Sequence, residues 1–537
     1  MLRFKPMSRG ILAALVCLTL VAGWLRLEST SFGLPTEDVD HLFRPDEDIL
    51  IPRALHFGPD WNPHIAFPYP AGQMYVQSTG LRIYAGCRGH WDDFRSMYAP
   101  HNNAEAYIVG RRITALMGTA TVPATYFAAA PMFGPAVALI SATAVAFAPS
   151  HVRDSKFATA DVPAGFWTAL GILMMLRIVQ RGSWLDYLLA GVFCGVAFAT
   201  KYPAGALLFG VFTAHLESRR RDPLLRSLAD RKVFLIAIGF GIAAIISTPY
   251  LVVDWSQTIQ DFRIQWAQTV AFPTPETGNG WSWLLLRAIP DCFGPAFEGL
   301  VIGGIIWGLV RPQPGTTSLA VFVVAELLAI SIDGRPFYRY LLVPLPAMAI
   351  LGAVFGCQLT SRLCSLVRKT TYRALVLSVS ILLVGLMLIS FLIRDVEYNK
   401  LLSREDTRSL AGKWIEANVS PGTQIAVTNQ DQYGKPQLLV GNYDWVPMED
   451  LASLQRKHIY WVLSDSLDQL RAYSPALSKS EEEQLSSHAT LVYDIDPLRH
   501  DSATIPIFDE GDAFYAPFGG ISAMERPGPR IRIWRLK

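Results

Sequence analysis

Three carboxylates in succession, Asp46-Glu47-Asp48, follow Arg44-Pro45 just beyond the first apolar stretch of this 537-residue chain. A positioned carboxylate acts as a general base, drawing the proton from a hydroxyl as its oxygen becomes a nucleophile. A like-charged neighbour raises the pKa of such a base and tunes it. On its own an acidic run is more often a solvated face, and Asp48 reads as the solvated member. A second group of residues carries the complementary chemistry. Arg111 and Arg112 lie inside an apolar segment, and Arg153, Asp154, Lys156 and Asp161 follow a later one. Lys201 opens Lys201-Tyr202-Pro203, and Arg339-Tyr340 closes a short polar turn. Arginine in a span costs several kcal/mol unless it snorkels or finds a partner, so such residues are functional candidates. For one of Arg111 and Arg112 the headgroup region is explanation enough. A base together with cations that bind phosphate oxygens suits transfer from a phosphorylated donor.

The elements that must position these residues are membrane helices. Hydrophobic residues make up 51% of the chain and charged residues 17%, and apolar stretches recur at bilayer length. By the criterion of ~20 apolar residues there are about eleven spans. They lie near 11–27, 106–128, 133–149, 163–180, 185–200, 203–216, 233–250, 294–310, 318–332, 341–357 and 374–393. Lys5 and Arg9 before the first span set the N-terminus in the cytoplasm, and the first span is read as retained rather than cleaved. Arg181, the cluster from Arg219 to Lys232, Arg311, and Arg362 to Arg373 then all fall in cytoplasmic loops. The odd count places the C-terminus outside, and the polar candidates gather on that same extracytoplasmic side. The expected organisation is a transmembrane catalytic domain over 1–394, with a first outer loop over about 28–105, and an extracytoplasmic α/β domain over 395–537. In that domain a helix is predicted over Thr407 to Val419, with strands at 424–427, 459–463, 491–495 and 530–536.

The net charge of +2, scattered among short loops, points to no nucleic-acid partner. The six cysteines contain no C-x-x-C pair, so no zinc knuckle or thioredoxin-like site is indicated. Nucleotides are not normally available outside the membrane, which makes a lipid-linked phosphate held in the leaflet the natural donor.

The run Phe43 to Leu50, then Asp60-Trp61-Asn62-Pro63-His64 and Tyr69-Pro70, resembles the first loop of phospholipid-carrier-dependent glycosyltransferases of the GT-C class. These enzymes are related to protein O-mannosyltransferases and to the aminoarabinose transferase of lipid A. Gly110 to Leu116 is similar to their second span and Arg153 to Pro163 to their second outer loop; Ala199 to Pro203 and Arg339-Tyr340 with Pro344 and Pro346 also fit. The resemblance implies a mainly α, polytopic GT-C fold, and inverting transfer of a sugar from a polyprenyl-phosphate carrier to an acceptor hydroxyl. It makes Asp46 the general base, Glu47 its tuning neighbour, and Asp161 the residue that holds acceptor, sugar or cation. Arg111, Lys201 and Arg339 become ligands of the leaving phosphate, with Arg112, Arg153, His64, Tyr69 and Tyr340 as further substrate contacts. The acceptor is left open among lipid, glycan and protein. Aminoarabinose-transferase relatives carry Lys-Pro where this chain has Tyr69-Pro70, and the long inserted domain of eukaryotic protein mannosyltransferases has no counterpart. No cofactor is specified by the residues. A divalent cation stays open, since His41, His56, His64 and His151 could join the acids but show no ligand spacing. The competing reading is a polytopic lipid or solute transporter, which would place its charges near the midplane and show two related halves.

Overall fold

The computed structural model describes residues 8–34, 42–57, 70–91, 95–98, 104–271, 280–332, 337–428, 432–438, 441–466, 479–509 and 514–537. A helix occupies each apolar segment. These helices are Arg9–Leu27, Ala104–Phe133, Pro135–Ala146, Asp161–Gln180, Trp184–Thr200, Leu207–Ser218, Lys232–Ser247, Pro295–Val310, Thr316–Ile332, Leu345–Leu366 and Thr370–Leu402. Among the described residues five are individually long and apolar enough to cross a bilayer, namely Arg9–Leu27, Ala104–Phe133, Asp161–Gln180, Leu345–Leu366 and the one beginning at Thr370. Two further helices, Glu47–His56 and Gly72–Cys87, lie in what the sequence presents only as a long polar loop.

Local chemistry sets the helix ends. Gly134, with φ of 85°, breaks Ala104–Phe133 from its successor, and Pro135 restarts the helix at its first position. Ser183 and Asp186 form a reciprocal capping box ahead of Trp184–Thr200. That helix meets Lys232–Ser247 through small residues: a Cβ on Gly195 would stand 2.5 Å from the Phe240 carbonyl oxygen. Two buried cations close other helices. Arg26 donates to the carbonyls of Val145 and Ala146, each at 2.9 Å, capping the C-terminus of Pro135–Ala146. Lys156 donates to the carbonyls of Leu25 and Glu28 at the end of Arg9–Leu27. Cations at helix C-termini satisfy the last carbonyls and oppose the dipole.

The chain divides into two compact units, one of Met1–Glu28, Pro52–Thr79 and Arg111–Asp395, the other of Ser29–Ile51, Gly80–Gly110 and Val396–Lys537. The second contains a five-stranded mixed sheet ordered β2-β1-β3-β5-β4, with β1 Thr423–Val427, β2 Tyr443–Pro447, β3 Trp461–Ser466, β4 Ala489–Ile495 and β5 Arg530–Leu536. β1 pairs in parallel with β2 and β3, while β5 runs antiparallel to β3 and β4. Alternation along the strands gives it two packed faces. Ile425, Val427, Leu463, Ile531 and Ile533 pack against Ala411 and Ile415 of helix Thr407–Asn418, and Ala426, Val462 and Trp534 pack on the other side with Leu454 and Leu485. The four strands foreseen from alternation are present. β2 was missed because Tyr443-Asp444-Trp445-Val446-Pro447 ends in proline and carries an acid.

At the sheet edge Arg530 grips Asp494 through hydrogen bonds of 3.0 and 2.7 Å and holds its carboxyl below the usual carboxylate range. A depressed native pKa stabilises the fold fully above the unfolded value near pH 4, and the gain fades as pH falls through the native value. Both partners face solvent, so the pair contributes no more than about 1 kcal/mol. Asp494→Asn should therefore destabilise the sheet at pH 7 and progressively less towards pH 3, followed by tryptophan fluorescence in denaturant. An equal deficit at both pH values would contradict the assignment.

Candidate functional site

Asp161 is the first residue of helix Asp161–Gln180, where the helix dipole favours a carboxylate. Lys201 is the residue just past the C-terminus of Trp184–Thr200, where a cation is favoured, and its ammonium forms an ion pair with Asp161. Arg339 lies in the 3₁₀ turn Tyr338–Leu342, its Nε 3.9 Å from the other Asp161 oxygen. The Lys201 ammonium also sits 4.0 Å from the centre of the Tyr340 ring, and the Arg339 guanidinium 4.4 Å over Phe337. All three ionic side chains are buried. Three ionic residues far apart in sequence, Asp161, Lys201 and Arg339, are thus brought together.

Two glycines allow close backbone passes beside this cluster. Gly165 lies one turn after Asp161 on the same helix face, and a Cβ there would fall 2.7 Å from the Leu342 carbonyl oxygen. Without that close contact, the turn carrying Arg339 could not reach Asp161. A Cβ on Gly72 would lie 2.5 Å from the Ala199 carbonyl, two residues before Lys201.

The acidic run sits in the other compact unit. Asp46 adopts φ of 71°, a left-handed conformation that aspartate tolerates better than most residues and that marks stored local strain. Its carbonyl accepts from the amides of Ile49 and Leu50, starting helix Glu47–His56. Glu47 is fully buried. Asp48 is not a solvated acid: it is half-buried, and its Oδ2 accepts a 2.8 Å hydrogen bond from the Tyr433 hydroxyl. A tertiary partner some four hundred residues along the chain makes the difference.

Among the other candidates, Arg111 is fully buried, with its guanidinium 5.2 Å over the Phe157 ring, whereas Arg112 is exposed. Arg153 is buried against Asp154 at 3.3 Å. His64 and Tyr69 lie outside the described residues. No three His, Cys, Asp or Glu side chains come together among the described residues. His151 meets Arg26 at 2.9 Å instead of an acid.

Sequence reading overlooked Glu326, a fully buried carboxylate midway along Thr316–Ile332, within electrostatic reach of Lys201. Neither of its oxygens has a hydrogen-bond partner among the described residues. A lone acid inside Val323-Val324-Ala325-Glu326-Leu327-Leu328 was signal enough to single it out.

Comparison with known proteins bears on this arrangement. Residues 73–258 match the model of the dolichyl-phosphate-mannose-protein mannosyltransferase family. ArnT from Cupriavidus metallidurans bound to undecaprenyl phosphate superposes with a TM-score of 0.54 at 14% identity, covering 98% of each chain. The oligosaccharyltransferase AglB from Archaeoglobus fulgidus, in complex with an inhibitory peptide and a dolichol-phosphate, gives 0.51 at 13% identity, covering 98% of this chain and 88% of that one. The fold is that of the GT-C glycosyltransferases. No curated protein matches in sequence. The mainly helical, polytopic GT-C architecture expected from the motifs is therefore present, and the apolar helices make the chain an integral membrane protein.

Arg339→Ala should weaken use of a lipid-phosphate donor, because a buried phosphate that loses its partner typically costs ~2–5 kcal/mol. Lysine should restore only part, lacking the planar fork. Donor-concentration dependence of the rate is the measurement, and an unchanged dependence would make Arg339 structural.

Proposed function

We propose that this GT-C protein is an inverting glycosyltransferase that moves a hexose or pentose from a polyprenyl-phosphate carrier to an acceptor hydroxyl on the extracytoplasmic face. The single observation that carries the reading is the buried cluster of Lys201 and Arg339 around Asp161, with Tyr340 against the lysine. A lysine and an arginine buried side by side suit the oxygens of a phosphodiester that gains charge as it leaves as a phosphate monoester. Asp161 orients both cations, and Arg111 adds a third cation for the same donor class. The mannosyltransferase-family match over 73–258 and the lipid phosphates bound by the neighbours support this choice of donor. The loops richest in arginine and lysine set the sidedness, in a plasma or bacterial inner membrane.

In the reaction the Asp46 carboxylate takes the proton of the acceptor hydroxyl as that oxygen attacks the anomeric carbon. The bond from that carbon to the phosphate oxygen breaks on the opposite face, and the electron pair leaves with the polyprenyl phosphate. One base suffices, unlike the two carboxyls of glycoside hydrolysis. The buried Glu47 orients its neighbour, and the acceptor is a lipid, a glycan or a protein. The transporter reading draws no support from the comparisons, whose similar proteins are transferases.

Asp46→Asn keeps size and most hydrogen bonding but cannot accept a proton, so turnover should fall by ~10²–10⁴-fold. Donor binding and melting temperature should stay near those of the parent. Near-normal turnover in purified Asp46→Asn would refute the role and send the search to Glu47 or Asp161.

A further inference from the structure

The acidic segment and the C-terminal sheet domain belong to one compact unit, and the contacts within it have a definite pattern. Arg408 is fully buried at the start of helix Thr407–Asn418 and held by Asp406 through two hydrogen bonds of 2.8 Å. Its third arm donates to the Tyr433 carbonyl at 2.6 Å, and its guanidinium lies 3.7 Å over the Phe43 ring. Tyr433 turns its hydroxyl to Asp48 at 2.8 Å. Arg44 lies 4.9 Å over the ring of Phe514, which also meets Phe32 edge-on. Gln437 donates to the Leu34 carbonyl at 3.3 Å and accepts from Ser409 at 2.7 Å. Gly412 leaves no room for a side chain against the Gln437 carbonyl, so residues 432–438 lie flush on the helix.

Residues 43, 44 and 48 are therefore gripped on both sides of Asp46 by residues of the C-terminal domain. Asp46 itself sits in a backbone conformation that an unsupported aspartate would leave at a gain. Such a residue persists only where its surroundings over-determine it. We infer that the C-terminal domain is a clamp on the base-bearing segment, with Tyr433 and Arg408 as positioning residues that hold the Asp46 carboxylate in its working geometry. The inference rests on Asp46 being the general base. It gives the C-terminal domain a catalytic purpose.

The test uses the purified full-length chain with a polyprenyl-phosphate sugar donor and follows kcat, donor KM and melting temperature. Tyr433→Phe removes the hydroxyl that donates to Asp48 and keeps the ring. It should lower kcat by ~10-fold or more, as a base displaced by about an ångström would, with donor KM changed by less than about twofold. Asp48→Ala should behave alike, and the double variant should be no worse than the poorer single, since both break one bond. Arg530→Gln, which loosens the same domain at the Asp494 edge, should reduce melting temperature and leave kcat at the assay temperature unchanged. Normal kcat in Tyr433→Phe, or losses that follow melting temperature in all variants including Arg530→Gln, would overturn the clamp while an inactive Asp46→Asn kept the base. An active Asp46→Asn would instead overturn the base assignment, and the clamp with it.

Discussion

A charged side chain taken out of water must find an opposite charge or an oriented dipole, and this requirement organises the membrane part of the protein. Asp161 sits at a positive helix end and is met by Lys201 and Arg339. Arg26 and Lys156 spend their donors on carbonyls at negative helix ends. The two groups solve the same problem with different partners. Arg26 and Lys156 meet backbone carbonyls at helix ends, whereas Lys201 and Arg339 meet the Asp161 carboxylate.

Burial alone does not tell the two sets apart. Lys156 and Lys201 are both buried lysines on connections between helices, and their residue types and neighbours in sequence look equally suggestive. Lys156 donates to the backbone carbonyls of Leu25 and Glu28 with the Asp395 carboxylate in electrostatic reach, while Lys201 pairs with Asp161 beside the Tyr340 ring. Close packing is the other half of the arrangement. Gly165 and Gly72 are glycines because backbone must pass where a Cβ would collide, and those passes bring Asp161 to Arg339 and set the approach to Ala199 beside Lys201.

Much of the architecture was legible in the chain. Apolar segments of bilayer length located the helices because membrane helices announce themselves by composition alone. Alternation found four strands of the sheet and missed β2, where proline and aspartate mask the pattern. Asp161, Lys201, Arg339 and Tyr340 were picked out by residue type and motif, yet their union depends on helix packing that no local pattern encodes. The same limit explains the errors at the acidic run. Asp48 looked solvated because Tyr433 is a long-range partner, and Arg408 and Phe514 carry no sequence signal of contact with the segment before Glu47. Glu326 was legible and overlooked.

The central claim is that sugar leaves a lipid phosphate and joins a hydroxyl, instead of crossing the membrane still attached to its carrier. The direct measurement follows a polyprenyl-phosphate donor labelled in the sugar, in sealed membranes containing the protein and in membranes without it. Both the fate of the label and the appearance of free polyprenyl phosphate are quantified. The account predicts that label passes to a product no longer linked to polyprenol, with free polyprenyl phosphate released in equal amount. Label that changes sides while remaining on the lipid phosphate, with no free carrier formed, would contradict it.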